Sequence, residues 1–301
     1  MVPLGAAVPM STSTNKPLLL LGADGMLGRA FAEALTREHR PFRSMSPPEF
    51  DLRDESSIAR AVSIPPGAVI NCCAFTDVDG AEQDESAATA VNATGVGMLA
   101  RACRSAHVPL LHFSTDYVFD GSGQNPYPPI DPPEHCSPVN AYGRSKLAGE
   151  RLIGASGCEH LIVRTSWLYA PWARNFVRTI AAAAQTRPEI RVVHDQRGRP
   201  TCARALAAAS LELLDRGRRG IWHVTDAGEC SWFEFASEIV HLTGAPCKVS
   251  PCATADFPRP ARRPAFSVLD ISATEAVLGP QADWRERLAA TIQELAGAGP
   301  A

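Results

Sequence analysis

The chain has almost no lysine. Of its 29 basic residues only Lys16, Lys146 and Lys248 are lysines; the other 26 are arginines. Against 32 acidic residues the net charge is −3, which argues against a broad basic face for nucleic acid. The nine cysteines include no CxxC pair, their number is odd, and Cys72 and Cys73 are adjacent. A secreted disulfide framework is a poor fit to that pattern, and a reducing cytoplasm is a good one. No metal-ligand spacing stands out. No apolar run reaches the roughly 18 residues of a membrane span, so a membrane partner is not expected. Residues 1–16 lack a basic segment ahead of an apolar core and are interrupted by Pro3 and Pro9. They read as a disordered extension rather than a signal peptide. Over 301 residues at 45% hydrophobic, what is present is enough to build one large domain or two ordinary ones.

That apolar content is arranged in alternation. Short apolar stretches at 18–21, 68–74, 109–115 and 160–166 are separated by helical patterns near 27–37, 86–106 and 141–154. Buried runs of this length between helices indicate a parallel sheet covered on both faces. The expected fold is α/β, a right-handed doubly wound (Rossmann) sheet over residues 17–168. Beyond residue 168 the order is less regular, with helical segments near 173–186, 201–215 and 231–243 and strands near 190–194 and 221–225. Pro-rich stretches at 126–138 and 256–264 read as loops. Residues 169–301 are expected to form mainly a smaller substrate-binding domain, with the strand near 221–225 returning to the main sheet.

Gly22-x-x-Gly25-x-x-Gly28 stands between the first strand and the first helix. There one glycine permits a tight turn, one admits a pyrophosphate, and one allows helix and strand to pack closely. The helix N-terminus adds amide donors and a favourable dipole. An acidic residue about 20 positions on would hold a ribose in an NAD site. Here that region reads Pro41-Phe42-Arg43-Ser44. Arg43 is therefore the candidate for a 2′-phosphate, favouring NADPH with NADH as the alternative, and Asp51 the candidate near the adenine.

Tyr142 and Lys146 are four residues apart on a predicted helix and share one face. A phenol has a pKa near 10, too high for acid–base work at neutrality, and a neighbouring ammonium lowers it. The stretch 114–117, Ser-Thr-Asp-Tyr, closes a buried strand at the edge where such sheets bind ligands. Thr115 is placed to bind a carbonyl oxygen beside Tyr142. Together these features describe a short-chain dehydrogenase/reductase site.

Longer blocks carry a more specific resemblance: STDYVFDG at 114–121, SPVNAYGRSKLAGE at 137–150, RTSWLYA at 164–170, DQRGRPT at 195–201, GECSWFEFA at 228–236 and ARRPAFSVLD at 261–270. Over about residues 17–290 the chain resembles the dTDP-4-dehydrorhamnose reductase family, an extended branch of that superfamily. The resemblance implies NADPH-dependent reduction of a 4-keto group on a nucleotide-linked 6-deoxyhexose. It makes Tyr142 the proton donor, Lys146 its tuning partner and Thr115 the group that orients the carbonyl. It assigns Asp116, Tyr117 and Trp167 to the sugar pocket and Arg262 or Arg263 to the diphosphate. To the cofactor it assigns Met26, Leu27, Leu52, Ala74, Thr76 and Asn92 as well as the glycines, Arg43, Asp51, Tyr142 and Lys146.

The chain also departs from that family. Some members bridge a dimer through Mg²⁺, using a glutamate two residues past the last glycine; Ala30 occupies that position, so Mg²⁺ is doubtful and a monomer or homodimer is equally open. An acidic residue common after the Pro-Thr pair is missing from Thr201-Cys202-Ala203-Arg204-Ala205. Tyr117 stands where the similar 4,6-dehydratases carry glutamate, which disfavours dehydration. A 4-ketoreductase for another deoxysugar, and a non-catalytic NADP-binding subunit similar to that of methionine adenosyltransferase, remain alternatives.

Overall fold

The structure is a computed structural model that describes residues 16–129 and 136–297. The extension expected at 1–16 lies outside the described residues except for Lys16, as does part of the Pro-rich stretch 126–138. The first half of the chain reads β1 (Leu18–Leu21), α1 (Met26–Arg37), β2 (Phe42–Met45), α2 (Glu55–Val62), β3 (Val69–Asn71), α3 (Val78–Gln83), α4 (Glu85–Thr89), a π-helical segment Ala90–Gly95, α5 (Val96–Ala106), β4 (Leu110–Thr115), α6 (Ala141–Ala155) and β5 (His160–Thr165). It continues through β6 (Leu168–Tyr169), α7 (Phe176–Ala184), β7 (Glu189–Val193), β8 (Arg197–Gly198), β9 (Thr201–Cys202), α8 (Ala203–Asp215), β10 (Gly220–His223), β11 (Cys230–Ser231), α9 (Trp232–Thr243), β12 (Lys248–Cys252), α10 (Ser272–Leu278) and α11 (Trp284–Gly297).

Six strands form the main sheet in the order β2-β1-β3-β4-β5-β10. Every pairing in it is parallel. The four consecutive leucines of β1 show why. Leu18 and Leu20 pack on one face with α1 and α8, while Leu19 and Leu21 pack on the other with α2 and α5. All four are buried, so an unbroken apolar run, not an alternating one, is what this position requires. Each such leucine contributes roughly 1.5–3 kcal/mol. The chain reverses its winding between β1 and β3, and ligands of such sheets gather above that point, at the carboxyl ends of the strands.

A separate core unites α7, β7, β9, α9 and α11 around Phe235 and Trp284. The strand β12 pairs with β7 apart from the main sheet, whereas β10 leaves this region and pairs with β5. No described helix is long and apolar enough to cross a membrane.

Candidate active site

The glycine loop is shaped by close backbone approach. Gly22 has φ +77°, and a Cβ on it would lie 3.0 Å from the Cys73 amide nitrogen and Sγ. A Cβ on Gly28 would lie 2.0 Å from the Gly22 carbonyl oxygen, so α1 can meet β1 only through glycine. Gly25 is the N-cap of α1; it brings no side-chain cap, and the first turn has no acidic residue. The amide end of that helix, at Met26, Leu27 and Gly28, is thus left for an anion. The cradle fits a dinucleotide pyrophosphate. The thiols beside it do not compete as nucleophiles: burial pushes Cys72 up, and burial with the nearby Asp51 charge pushes Cys73 up to about 12.

The other cofactor candidates divide. Asp51 lies close enough to Cys73 to act on it, but its carboxylate is paired with Arg53 at 2.7 Å. Leu52 is buried, and its carbonyl is what a Cβ on Gly95 would strike. Ala74 and Thr76 flank Phe75 in the loop after β3. Asn92 holds that loop: its side chain accepts from the Phe75 amide at 2.9 Å and donates to the Phe75 carbonyl at 3.0 Å and to Ser145 Oγ at 3.0 Å. Its polar atoms therefore position the loop. Arg43 lies apart from the glycine loop. Its Nη2 donates to the carbonyls of Ala61 (2.8 Å) and Ile64 (2.6 Å), at the C-terminal end of α2. That helix runs back from the cofactor edge, so Arg43 binds carbonyls at the far edge and is not brought to the glycine loop.

Tyr142 and Lys146 sit in the first turns of α6. Asn140 caps this helix by accepting from the Gly143 amide at 2.8 Å, and Glu82 accepts from the Ala141 amide at 2.7 Å. Gly143 lets α6 approach the end of β4: a Cβ there would lie 2.1 Å from the Tyr117 carbonyl oxygen. Gly149 does the same against the Asn92 carbonyl, at 2.1 Å, where the π-helical segment bulges toward it. The result brings Thr115, Asp116, Tyr117 and Tyr142 together, with the two tyrosine rings edge to face at 6.0 Å.

The electrostatics differ from the simple lysine-tunes-tyrosine expectation. Burial raises the Tyr142 phenol above its ordinary value, the Asp116 charge raises it further, and only hydrogen bonding with Thr115 opposes them. The Lys146 amino group points elsewhere, donating to the Phe113 carbonyl at 2.6 Å, with His112 Nε2 at 3.4 Å. Burial lowers Lys146 itself to about 8. Thr115 gives its hydroxyl proton to Asp116 Oδ1 at 3.0 Å and accepts from the Tyr117 amide at 3.2 Å. Burial pushes the Asp116 carboxyl up to about 7, against the opposing hydrogen bonds from Ser267 and Thr115.

On the neighbouring strand β5, Thr165 stands in register with Thr115, two residues before Trp167. Trp167 is held at φ +48° and stacks on Trp232 at 3.6 Å, with the rings 9° from parallel. A Cβ on Gly198 would press on its indole at 2.6 Å. One indole face is thus covered by the protein. Trp232 lay inside the sequence block GECSWFEFA without a role; spacing alone gives no sign of a partner 65 residues away. Arg263 donates to Asp79 at 2.5 Å and hydrogen bonds with Tyr117, while Arg262 is exposed and lends its carbonyl to Asn140. Asp79, which sequence reasoning missed, is held well below the usual carboxylate range chiefly by Arg263, with Arg259 assisting. Ala30 is buried in the α1 core face.

The family model described as RmlD substrate binding domain matches residues 16–296. A dTDP-4-dehydrorhamnose reductase of Mycobacterium tuberculosis is 40% identical over 284 residues, covering 92% of this chain and 93% of the relative. The chain belongs to the dTDP-4-dehydrorhamnose reductase family. The Burkholderia thailandensis reductase is 38% identical over 297 residues, covering 92% of this chain and 98% of its own. The crystal structure of the Bacillus anthracis reductase in complex with NADP superimposes with a TM-score of 0.88 at 33% identity, over 93% of this chain and 99% of that one. As a member of this reductase family the chain is an NAD(P)H-dependent oxidoreductase with a Rossmann-like fold.

Proposed function

We propose that this reductase converts dTDP-4-dehydro-L-rhamnose to dTDP-L-rhamnose with NADPH, in the cytoplasm, where its nine unpaired thiols fit. The observation that carries the reading is the half-buried Tyr142 phenol beside Thr115 and Asp116, at the carboxyl end of β4. The relatives' names support the sugar nucleotide, and the NADP complex of the Bacillus anthracis relative supports the cofactor.

Bound NADPH supplies the hydride that reaches the keto carbon. Tyr142 gives its proton to the keto oxygen as negative charge develops there. Burial and the Asp116 charge favour the phenol over the phenolate, so the group arrives loaded for reduction. Thr115 reaches the same oxygen by turning its hydroxyl away from Asp116. A carboxyl with a pKa of about 7 can release that hydroxyl by taking a proton of its own. Gly22, Gly25 and Gly28 seat the pyrophosphate, and Lys146 is placed one helical turn from the phenol. Tyr117 offers no second carboxylate beside Asp116, which disfavours eliminating water.

The experiment is NADPH oxidation with dTDP-4-dehydro-L-rhamnose, followed by identification of the product. Formation of dTDP-L-rhamnose is expected. Turnover of a different nucleotide ketosugar alone would replace the substrate, and NADPH binding without any ketosugar reduction would replace the enzyme by a binding subunit.

A further inference from the structure

Beneath the proposed catalytic pair lies a chain of buried polar groups that the reaction as described does not use. Strand β4 alternates its side chains between the two faces of the sheet, with Leu111 and Phe113 toward α1. His112 therefore points to the α6 side, where it is wholly buried. Its Nδ1 lies 3.1 Å from Asn71 Nδ2, and its Nε2 lies 3.4 Å from Lys146 Nζ. Asn71 is also wholly buried, and its Oδ1 accepts from the Cys73 amide at 3.1 Å.

The protons in this chain are determined by chemistry. A backbone N–H can only donate, so the group of Asn71 facing Cys73 is the carbonyl oxygen. The amide nitrogen of Asn71 then faces His112 Nδ1 and donates to it. A neutral imidazole that accepts at Nδ1 carries its proton on Nε2. That N–H is directed at Lys146 Nζ. An ammonium has no lone pair and cannot accept it; a neutral amine can accept it while still donating to the Phe113 carbonyl.

From this geometry we infer that His112, locked by Asn71 as the Nε2–H tautomer, is a positioning residue whose N–H can donate to Lys146 only when Lys146 is a neutral amine, and which therefore opposes a proton on Lys146 in the ligand-free enzyme. Asn71, His112 and Lys146 form one line from the glycine-loop side to the catalytic helix, each with defined direction. The inference deepens the reading of Lys146 in the proposed reduction by naming what governs its charge. The surroundings agree. Burial lowers both Lys146 and His112, and the Lys146 charge further disfavours a proton on His112. From α6 itself Tyr142 precedes Lys146 by one turn and Glu150 follows by one turn, the latter favouring the ammonium. From β5 come Arg164, which is paired with Glu150, and His160, which acts on His112.

Two readouts on the ligand-free full chain test this without any turnover, so their failure is separate from failure of the substrate assignment. Long-range ¹H–¹⁵N spectra of the histidines report which ring nitrogen of His112 carries the proton. The expected result is Nε2 protonated and Nδ1 bare at pH 7. With only three lysines in the chain, ε-¹³C-lysine spectra resolve Lys146 once Lys16→Arg and Lys248→Arg assign the others. Lys146 is expected to titrate well below Lys16 and Lys248, and His112→Phe to raise its midpoint by about one pH unit. A proton on Nδ1, a charged His112 ring at pH 7, or a Lys146 midpoint unmoved by His112→Phe would each overturn the inference. Should His112→Phe not fold, the tautomer of the unmodified protein decides alone.

Discussion

The two halves of α6 bury positive charge in opposite ways. In the second half Glu150 accepts from Arg164 Nε at 2.9 Å and Nη2 at 2.6 Å, and both side chains are wholly buried. In the first half Lys146 is just as deep, yet its bonded neighbours are a backbone carbonyl and an imidazole; Glu150 influences it only from a distance. A guanidinium is always charged, and its planar fork matches a carboxylate, so the first arrangement is fixed. An amine without a bonded carboxylate can lose its proton, so the second is adjustable. One helix thus carries a structural charge and a chemical one a single turn apart.

If that division is right, substitutions in the first half are read in turnover and those in the second in stability. The largest effect is expected for Tyr142→Phe, which removes the proton donor but little packing. Turnover should fall by roughly 10²- to 10⁴-fold, with NADPH affinity within a few-fold in a fluorescence titration. Near-normal turnover would dissolve the catalytic half of the comparison. Next is Glu150→Ala, which removes the carboxylate that pairs with Arg164. Denaturant unfolding should show a loss of about 3–5 kcal/mol. A loss below about 1 kcal/mol would mean that the buried pair is not structural.

The contrast sharpens with pH. Burial depresses Lys146 from 10.5 to about 8, so unfolding takes up a proton between those values. The native state of the wild type should therefore gain stability relative to Lys146→Met as pH rises through that window, by on the order of 3 kcal/mol. Below about 8 the amine is charged in both states and the difference should be flat. Unfolding titrations at intervals from pH 7 to 10.5 measure it. A flat difference throughout would place Lys146 with Arg164 as a permanent charge.

These distinctions were unevenly legible in the sequence. The parallel sheet was readable because β1 is wholly apolar and β3, β4 and β5 each carry consecutive apolar residues within a buried stretch, and the glycine loop because its spacing lies within seven residues. Tyr142 and Lys146 were readable because helical periodicity is local. Short β2 does not stand out as an apolar stretch: its Phe-Arg-Ser-Met includes two polar residues, on an edge strand whose demands for burial are weaker. The Trp167–Trp232 stack, the Asp79–Arg263 pair and the Asn71–His112–Lys146 line join positions far apart in the chain. A histidine inside the buried run at 109–115 was the one available sign of the last of these. The direction of the Tyr142 shift was not legible either, because it depends on burial and on Asp116 more than on the lysine four residues away.

Arg43 supplies a third kind of cation and the smallest expected effect. From spacing it was the candidate for a 2′-phosphate, but its guanidinium binds the carbonyls of Ala61 and Ile64 where α2 ends. A cation there complements both the unbonded carbonyls and the negative end of the helix dipole. It is neither buried with a carboxylate, like Arg164, nor adjustable, like Lys146. Arg43→Ala should therefore lower stability by only about 0.3–1 kcal/mol, the usual worth of a cation at a helix C-terminus. The ratio of NADPH to NADH affinity should stay within about twofold, because RT ln 2 is well below the worth of a charge-assisted phosphate contact. Both are read from the same purified variant, by unfolding and by cofactor titration. A tenfold or greater fall in that ratio with stability unchanged would mean that Arg43 leaves the helix end to meet the phosphate. In that case the sequence spacing would describe the liganded enzyme, and the carbonyl contacts only its resting state.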